Sequence, residues 1–157
     1  MRAVATVLAA GLLGAGCAGA DPGPALTVRG SGGELLTQVP LPAKEFAVSY
    51  RNSVYGSVAE ERYHVREGGR FGLVELAADQ LAVLEEYYAV PGPVRTAPDG
   101  DRRRFVAEPR DHPVFSELAI AATALGERTL HVPGRPPVPL PPLVTDEVTV
   151  VLDIEET

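Results

Sequence analysis

The chain has 157 residues and a formal net charge of −7, with 14 basic and 21 acidic side chains. This length fits one domain, and the acidic balance argues against a broad electrostatic surface for nucleic acid or anionic lipid. We therefore expect neutral, cationic or protein partners. Tryptophan is absent, while 16 glycines and 15 prolines favour short strands joined by turns over long helices.

The first twenty residues have the layout of a secretory signal peptide. Arg2 supplies a positive charge, residues 3–13 form an apolar run, and small residues then precede Cys17. The apolar run is too short for a membrane-spanning helix, which needs about 20 apolar residues. We therefore predict a signal peptide at 1–16 and an exported protein.

Two cleavage sites compete, and they differ in the fate of Cys17, the single cysteine of the chain. Residues 12–17 resemble a bacterial lipobox, although Leu13 lies four residues before the cysteine, where three is commoner. In that case residues 17–25 are a lipidated cysteine and tether, and residues 26–157 form a single β-rich domain. The domain is then held at the extracytoplasmic face of the cell membrane by its lipid anchor. Cleavage after Ala20 would instead give a secreted protein without the cysteine.

Alternating polar and apolar residues dominate from Ala25 onward, and glycine or proline interrupts them at short intervals, as in antiparallel sheet. Glycines at 30–33 predict an opening hairpin, and Gly68-Gly69 predicts another. The predicted strands of this part are 26–28, 34–39, 45–50, 57–65 and 71–76. The strand at 45–50 has an apolar face and a more polar face, so we expect it to be half-buried.

The middle of the chain is less regular. Leucines and a tyrosine recur at helical spacing, which predicts one short helix near 79–88 with Asp79 as its N-cap. Residues 99–104 are an Asp-Gly-Asp turn followed by three arginines. We interpret this segment as a solvated turn between edge strands, in which the opposite charges neutralise each other.

The last third ends in the clearest strand of the chain. Residues 114–125 are apolar, and their periodicity does not decide between helix and strand. Five prolines between 136 and 142 exclude a helix or a central strand there. Residues 148–155 alternate strictly and are predicted to lie in the interior of a sheet. The predicted fold is therefore all-β, mainly antiparallel, a small β-sandwich of short strands with one short helix.

No motif of the chain predicts a metal, a cofactor or a catalytic group. His64, His112 and His131 lie far apart, and none has a second histidine or a cysteine at metal-ligand spacing. Phosphate loops, dinucleotide fingerprints and the Gly-x-Ser-x-Gly elbow are absent from the sequence. An aromatic and basic platform for nucleic acid is absent too. We therefore expect no enzyme activity.

Two adjacent acidic residues predict a polar contact inside the fold. Glu60 and Glu61 lie on one predicted strand, so they point to opposite faces and one of them must point inward. An inward carboxylate needs a partner, which Arg51, Tyr50 or Ser53 could supply. A polar group beside the strand break at 52–53 is a candidate for ligand contact. The predicted contact group is Tyr50, Asn52, Ser53 and Glu60.

Residues 46–65 resemble a known family. The segment Phe46–Val54, followed by Glu60–Val65, is similar to the core motif of the DUF1850 family. The chain departs from this family at Asn52, where histidine is common, and at 81–88, where a glycine-rich stretch is usual. Members tend to accompany TAXI-type TRAP transporters, so the resemblance implies an extracytoplasmic accessory or binding role.

Three hypotheses follow. The first is a non-catalytic, membrane-tethered accessory or solute-binding protein that assists a TRAP/TAXI-type transporter. The second, from another class, is an envelope hydrolase with Ser53 as nucleophile and His64 or His131 as base. The third is a purely structural envelope protein whose acidic surface binds a partner.

Overall fold

The computed structural model describes residues 23–145 and 148–156, and it shows an all-β fold of antiparallel strands in two sheets, as predicted. The predicted signal peptide at 1–16, Cys17 and the start of the tether lie outside the described residues. Within the described part, no helix is long and apolar enough to cross a membrane.

The smaller sheet pairs both ends of the domain. Its strands are β1 (Ala25–Gly30), β2 (Leu35–Pro40), β9 (Glu117–Ala121) and β12 (Thr149–Glu155). Their order is β2-β1-β12-β9. The opening hairpin and the interior position of the last strand are thus confirmed. Val150, Leu152 and Ile154 are buried, because alternation turns them all to the same side of β12.

The larger sheet is built around the β3–β4–β5 meander. Its strands are β3 (Glu45–Asn52), β4 (Ser57–Val65), β5 (Phe71–Ala78), β6 (Arg95–Thr96), β7 (Phe105–Ala107), β8 (Val114–Phe115), β10 (Thr129–His131) and β11 (Val138–Pro139). Their order is β11-β10-β3-β4-β5-β7-β6, and β8 also pairs with β5. Gly68 and Gly69 turn β4 into β5 with positive φ angles of 70° and 63°, which confirms the predicted hairpin.

The hydrophobic core lies between the two sheets. It combines leucines and valines of β1 and β12 with aromatic residues of the larger sheet. Phe46 stacks on Tyr63 with ring centroids 5.0 Å apart, and Phe71 packs edge-on against both rings. We call the face of the larger sheet that meets this core the inner face, and the opposite one the outer face.

The prediction that β3 is half-buried was wrong, because its outer face is also covered. Ala47 and Ser49 are buried there as completely as Phe46 and Val48 are on the inner face. Ala47 lies between His131 of β10 and Arg62 of β4 in the strand register. The charged side chains described below cover this part of the sheet.

Where a helix was predicted near 79–88, the structure has a shorter helical segment. It is a π-helical turn at Val83–Tyr87. Val83 and Leu84 are fully buried, and they pack with Leu76 of the inner face in a second apolar cluster. Asp79 was wrongly predicted as the N-cap, because β5 runs to Ala78 and the carboxylate of Asp79 binds an arginine instead.

The apolar stretch 114–125 forms strands, β8 and β9, which decides the question its periodicity left open. The prolines confine β11 to the edge of the larger sheet, as predicted. The expectation that the prolines at 136–142 exclude any helix was wrong at one point, because Pro141–Leu143 form a short 3₁₀ turn. Prolines occupy its first positions, where no backbone N–H is needed.

Candidate functional site

The register of β3 with β4 places Glu60 and Arg62 side by side on the outer face. Glu60 lies opposite Ser49, and Arg62 lies opposite Ala47. Because adjacent residues of a strand point to opposite faces, Glu61 is on the inner face instead. The two adjacent glutamates therefore belong to different surroundings.

The β6–β7 connection, residues 99–104, folds over this part of the outer face. Gly100 has a φ of 84°, and Asp101 accepts a hydrogen bond from the backbone N–H of Arg103 at 2.9 Å. The side chains of Asp101 and Arg103 are only 13% and 14% exposed. The prediction of a solvated turn was therefore wrong for Asp101 and Arg103, whose charges bind partners on β4 and at the end of β5, whereas Arg102 and the rest of the segment are exposed.

The carboxylate of Glu60 is fully buried and is held by three arginines. Its Oε1 accepts hydrogen bonds from Arg62 Nε at 2.8 Å and Arg102 Nη2 at 2.7 Å. Its Oε2 accepts hydrogen bonds from Arg102 Nε at 3.1 Å and Arg103 Nε at 3.4 Å. Burial alone would raise the pKa of Glu60, but the hydrogen bonds and charges of Arg102 and Arg62 lower it. This residue is therefore an anion in the folded protein.

Further carboxylates surround these arginines. Arg62 donates to Glu75 Oε1 at 2.8 Å and to Asp101 Oδ1 at 2.6 Å, and Arg103 donates to Asp79 Oδ2 at 3.1 Å. The hydrogen bond from Arg62 lowers the pKa of Asp101. We call this set the outer charge network; its members are Glu60, Arg62, Glu75, Asp79, Asp101, Arg102 and Arg103.

The predicted partners Arg51, Tyr50 and Ser53 bind neither Glu60 nor Glu61 directly. Arg51 forms an ion pair with Glu127 at 3.0 Å instead. Tyr50 lies on the inner face, and Ser53 lies in the β3–β4 turn. The arginines that bind Glu60 come from its own strand and from the 99–104 connection.

A groove of about 550 Å³ opens beside the outer charge network. Ala47 contributes a small side chain to its wall between His131 and Arg62, so the sheet is recessed there. The residues lining the groove are Glu45, Phe46, Ala47, Arg62, Tyr63, His64, Val74, Glu75, Gly100, Asp101, Arg102, His131 and Pro133. The groove is thus walled by both signs of charge.

His131 connects the groove to the strand beneath it. Its Nε2 and the Oγ of Ser49 form a hydrogen bond of 2.8 Å. Burial, and then the positive charge of Arg102, lower the pKa of His131, so the ring is neutral near neutral pH. Ser49 itself is only 5% exposed and does not line the groove.

Of the four predicted contact residues, only Glu60 belongs to the outer charge network. The hydroxyl of Tyr50 lies 2.6 Å from that of Tyr88, and burial raises its pKa to about 12. Asn52 is buried, and its Oδ1 accepts hydrogen bonds from the backbone N–H groups of Val54 and Tyr55. It therefore closes the β3–β4 turn, on which Ser53 is exposed.

The structure does not bring Ser53 together with either predicted base. His64 pairs with Glu45, which is seven residues before Asn52, the end of β3 next to Ser53, and therefore about 23 Å from that end at about 3.3 Å per residue. His131 pairs with Ala47, about 17 Å from the same end of β3 by the same estimate. A Ser53 dyad with these histidines is incompatible with this register.

Most of the site was missed in the sequence because it depends on a contact distant along the chain. The alternation of β4 correctly puts Glu60 and Arg62 on one face. The charges at 101–103 carry no signal that they fold back on residues about forty positions earlier. The one usable sign was the run of three arginines, in a chain that also has a strand with two adjacent glutamates, one on each face.

Within residues 23–145 and 148–156, no group of histidine, cysteine and carboxylate side chains is arranged to hold a metal ion. Comparison of the chain with protein-family models, with curated proteins and with solved structures gives no match. The resemblance to the DUF1850 family stays a prediction.

Proposed function

We propose that this protein is a non-enzymatic, lipid-anchored extracytoplasmic protein that binds a small solute and assists a transporter of the TRAP/TAXI type. The observation that carries the proposal is the groove of about 550 Å³ on the outer face. Its volume lies in the range of small-molecule sites, and it is flanked by a buried, hydrogen-bonded charge network. Such a network holds its side chains in place before a ligand arrives, which lowers the cost of ordering them on binding.

The arrangement of serines and histidines supports the non-enzymatic part of the proposal. The strand register places His64 and His131 far from Ser53, and Ser49, which does bond to His131, is nearly inaccessible. A nucleophile must approach its substrate within about 3–3.5 Å, which the burial of Ser49 prevents in this conformation. Labelling of Ser49 or Ser53 by a fluorophosphonate probe would support a hydrolase instead.

The tether is supported by the lipobox-like residues before Cys17 and by the position of β1. The first strand begins at Ala25, so only a short segment separates Cys17 from the domain. Intact mass spectrometry of protein purified from host membranes, beside Cys17→Ala, tests the anchor. We expect an acylated N-terminus at Cys17 that the variant lacks, whereas a soluble product starting at Asp21 overturns the anchor.

Solute binding is tested by filling the groove. Val74 lines the groove and is 41% exposed, so Val74→Trp should obstruct the groove with little effect on the core. Val54 is exposed in the β3–β4 turn, outside the groove, so Val54→Trp is the matched control. Each protein is incubated with an extract of spent growth medium and washed, and the retained small molecules are identified by mass spectrometry.

We expect the unsubstituted protein and Val54→Trp to retain the same solute and Val74→Trp to lose it. Circular dichroism and thermal unfolding confirm that both variants fold. If no solute is retained, or if Val74→Trp retains it equally, the groove is not the binding site. The purely structural role would then be the better hypothesis, and solute uptake by the host should not depend on the protein.

A further inference from the structure

The groove offers unused hydrogen-bonding groups of both kinds. All three guanidinium nitrogens of Arg62 are engaged, whereas Arg102 uses Nε and Nη2 for Glu60. Among the described residues, none accepts a hydrogen bond from Arg102 Nη1, and the side chain is 46% exposed. The N–H donors of Arg102 Nη1 are therefore free for a ligand in the groove.

The groove also has free acceptors. Glu75 uses Oε1 for Arg62, and no described residue donates to its Oε2. Among the described residues, the carboxylate of Glu45 has one ion-pair contact, to His64 Nδ1 at 3.9 Å, which is too long for a hydrogen bond. Glu45 and Glu75 are on β3 and β5, on either side of β4, and both line the groove. A ligand there meets carboxylate oxygens that have room for a donor.

The charge count decides which kind of ligand the groove favours. The groove and the outer charge network together contain five carboxylates against three guanidinium groups, which is a formal excess of two negative charges over these groups. An anion would add to this surplus, and a cation would offset it.

We propose, on the basis of the proposed function, that the groove binds a small organic ammonium compound that also carries an acceptor oxygen. The ammonium group binds Glu75 Oε2 in the field of Glu45, and the oxygen accepts a hydrogen bond from Arg102 Nη1. Val74, which lines the groove and is 41% exposed, supplies apolar surface for the carbon chain of the ligand.

The test is isothermal titration of the folded domain with ethanolamine, 1,4-diaminobutane and succinate at low ionic strength. We expect ethanolamine to bind best, diaminobutane next and succinate not at all. Glu75→Gln keeps the acceptor for Arg62 but removes a charge, and it should weaken ethanolamine binding about fivefold. Glu85→Gln removes the same charge from an exposed site outside the groove and should leave the affinity unchanged.

The outcomes separate this inference from the proposed function. Binding of succinate that Val74→Trp abolishes would keep the groove as a solute site but overturn the ammonium class. Absence of binding for both amines, or equal losses in Glu75→Gln and Glu85→Gln, also overturns the inference. The retention experiment with Val74→Trp decides the proposed function independently.

Discussion

The two faces of the larger sheet hold adjacent glutamates in opposite ways. On the outer face, Glu60 is surrounded by three guanidinium groups and is fully inaccessible. On the inner face, the carboxylate of Glu61 accepts hydrogen bonds from the hydroxyls of Tyr63 at 2.6 Å and Tyr88 at 2.9 Å. Charged partners hold the first glutamate, and neutral donors hold the second.

The difference shows how one strand serves two purposes. Neutral phenol groups can bind a carboxylate while their rings extend the aromatic core of the inner face. Guanidinium groups contribute no such packing, but they tie the 99–104 connection to the sheet and shape the groove. The inner glutamate is therefore expected to matter for packing and the outer one for both stability and binding.

Removal of the outer charge should have the largest effect on stability. Glu60→Gln leaves three arginines facing a neutral amide, and we expect a loss of about 3 kcal/mol in the free energy of unfolding. This loss is at the low end of the range for breaking a buried ion pair, because Arg62 keeps its ion pair with Asp101 and Arg103 keeps its ion pair with Asp79. Guanidinium chloride unfolding measures it, and a loss below about 1 kcal/mol would show that the connection simply relaxes into water.

The second largest effect on stability is expected at acidic pH, where Glu60 becomes protonated. The folded-state pKa of Glu60 is lowered, so its stabilising effect is complete above the ordinary glutamate pKa of about 4.3 and is lost as the pH falls through the folded value. We expect the free energy of unfolding to fall below about pH 4.3, and to fall less steeply in Glu60→Gln. Parallel pH profiles for the two proteins would contradict the assignment.

Sequence reasoning predicted the sheets better than the site for a physical reason. Alternation is local, so it identified the main strands and the buried face of β12 with Val150 and Leu152, although it missed that both faces of β3 are covered. The outer charge network joins β4 to a connection forty residues later, and the alternation of either segment says nothing about that contact. Asn52, which was predicted to contact a ligand, instead accepts backbone hydrogen bonds within the β3–β4 turn.

Neutralising the inner glutamate should cost less than neutralising the outer one. Glu61→Gln keeps one acceptor oxygen for the tyrosines and leaves no cation without a partner, so we expect a loss of about 1–2 kcal/mol. The same unfolding measurement applies, with Glu85→Gln as an exposed control of unchanged stability. Equal losses of unfolding free energy in Glu61→Gln and Glu60→Gln would contradict the proposed difference between the two faces.

The smallest effect on stability is expected at Tyr50, which contacts Glu61 only through Tyr88. Tyr50→Phe removes the hydrogen bond to Tyr88 but keeps the ring, and it should lower the free energy of unfolding by about 1 kcal/mol. Burial raises the pKa of Tyr50 to about 12, so the folded state holds its proton after an unfolded tyrosine, with a pKa of about 10, has lost it. Stability from this group is therefore complete below about pH 10 and declines as the pH rises towards 12. Ultraviolet titration of tyrosinate should show one late-ionising group missing in Tyr50→Phe, and ionisation of every tyrosine near pH 10 would show that the inner face is open to water.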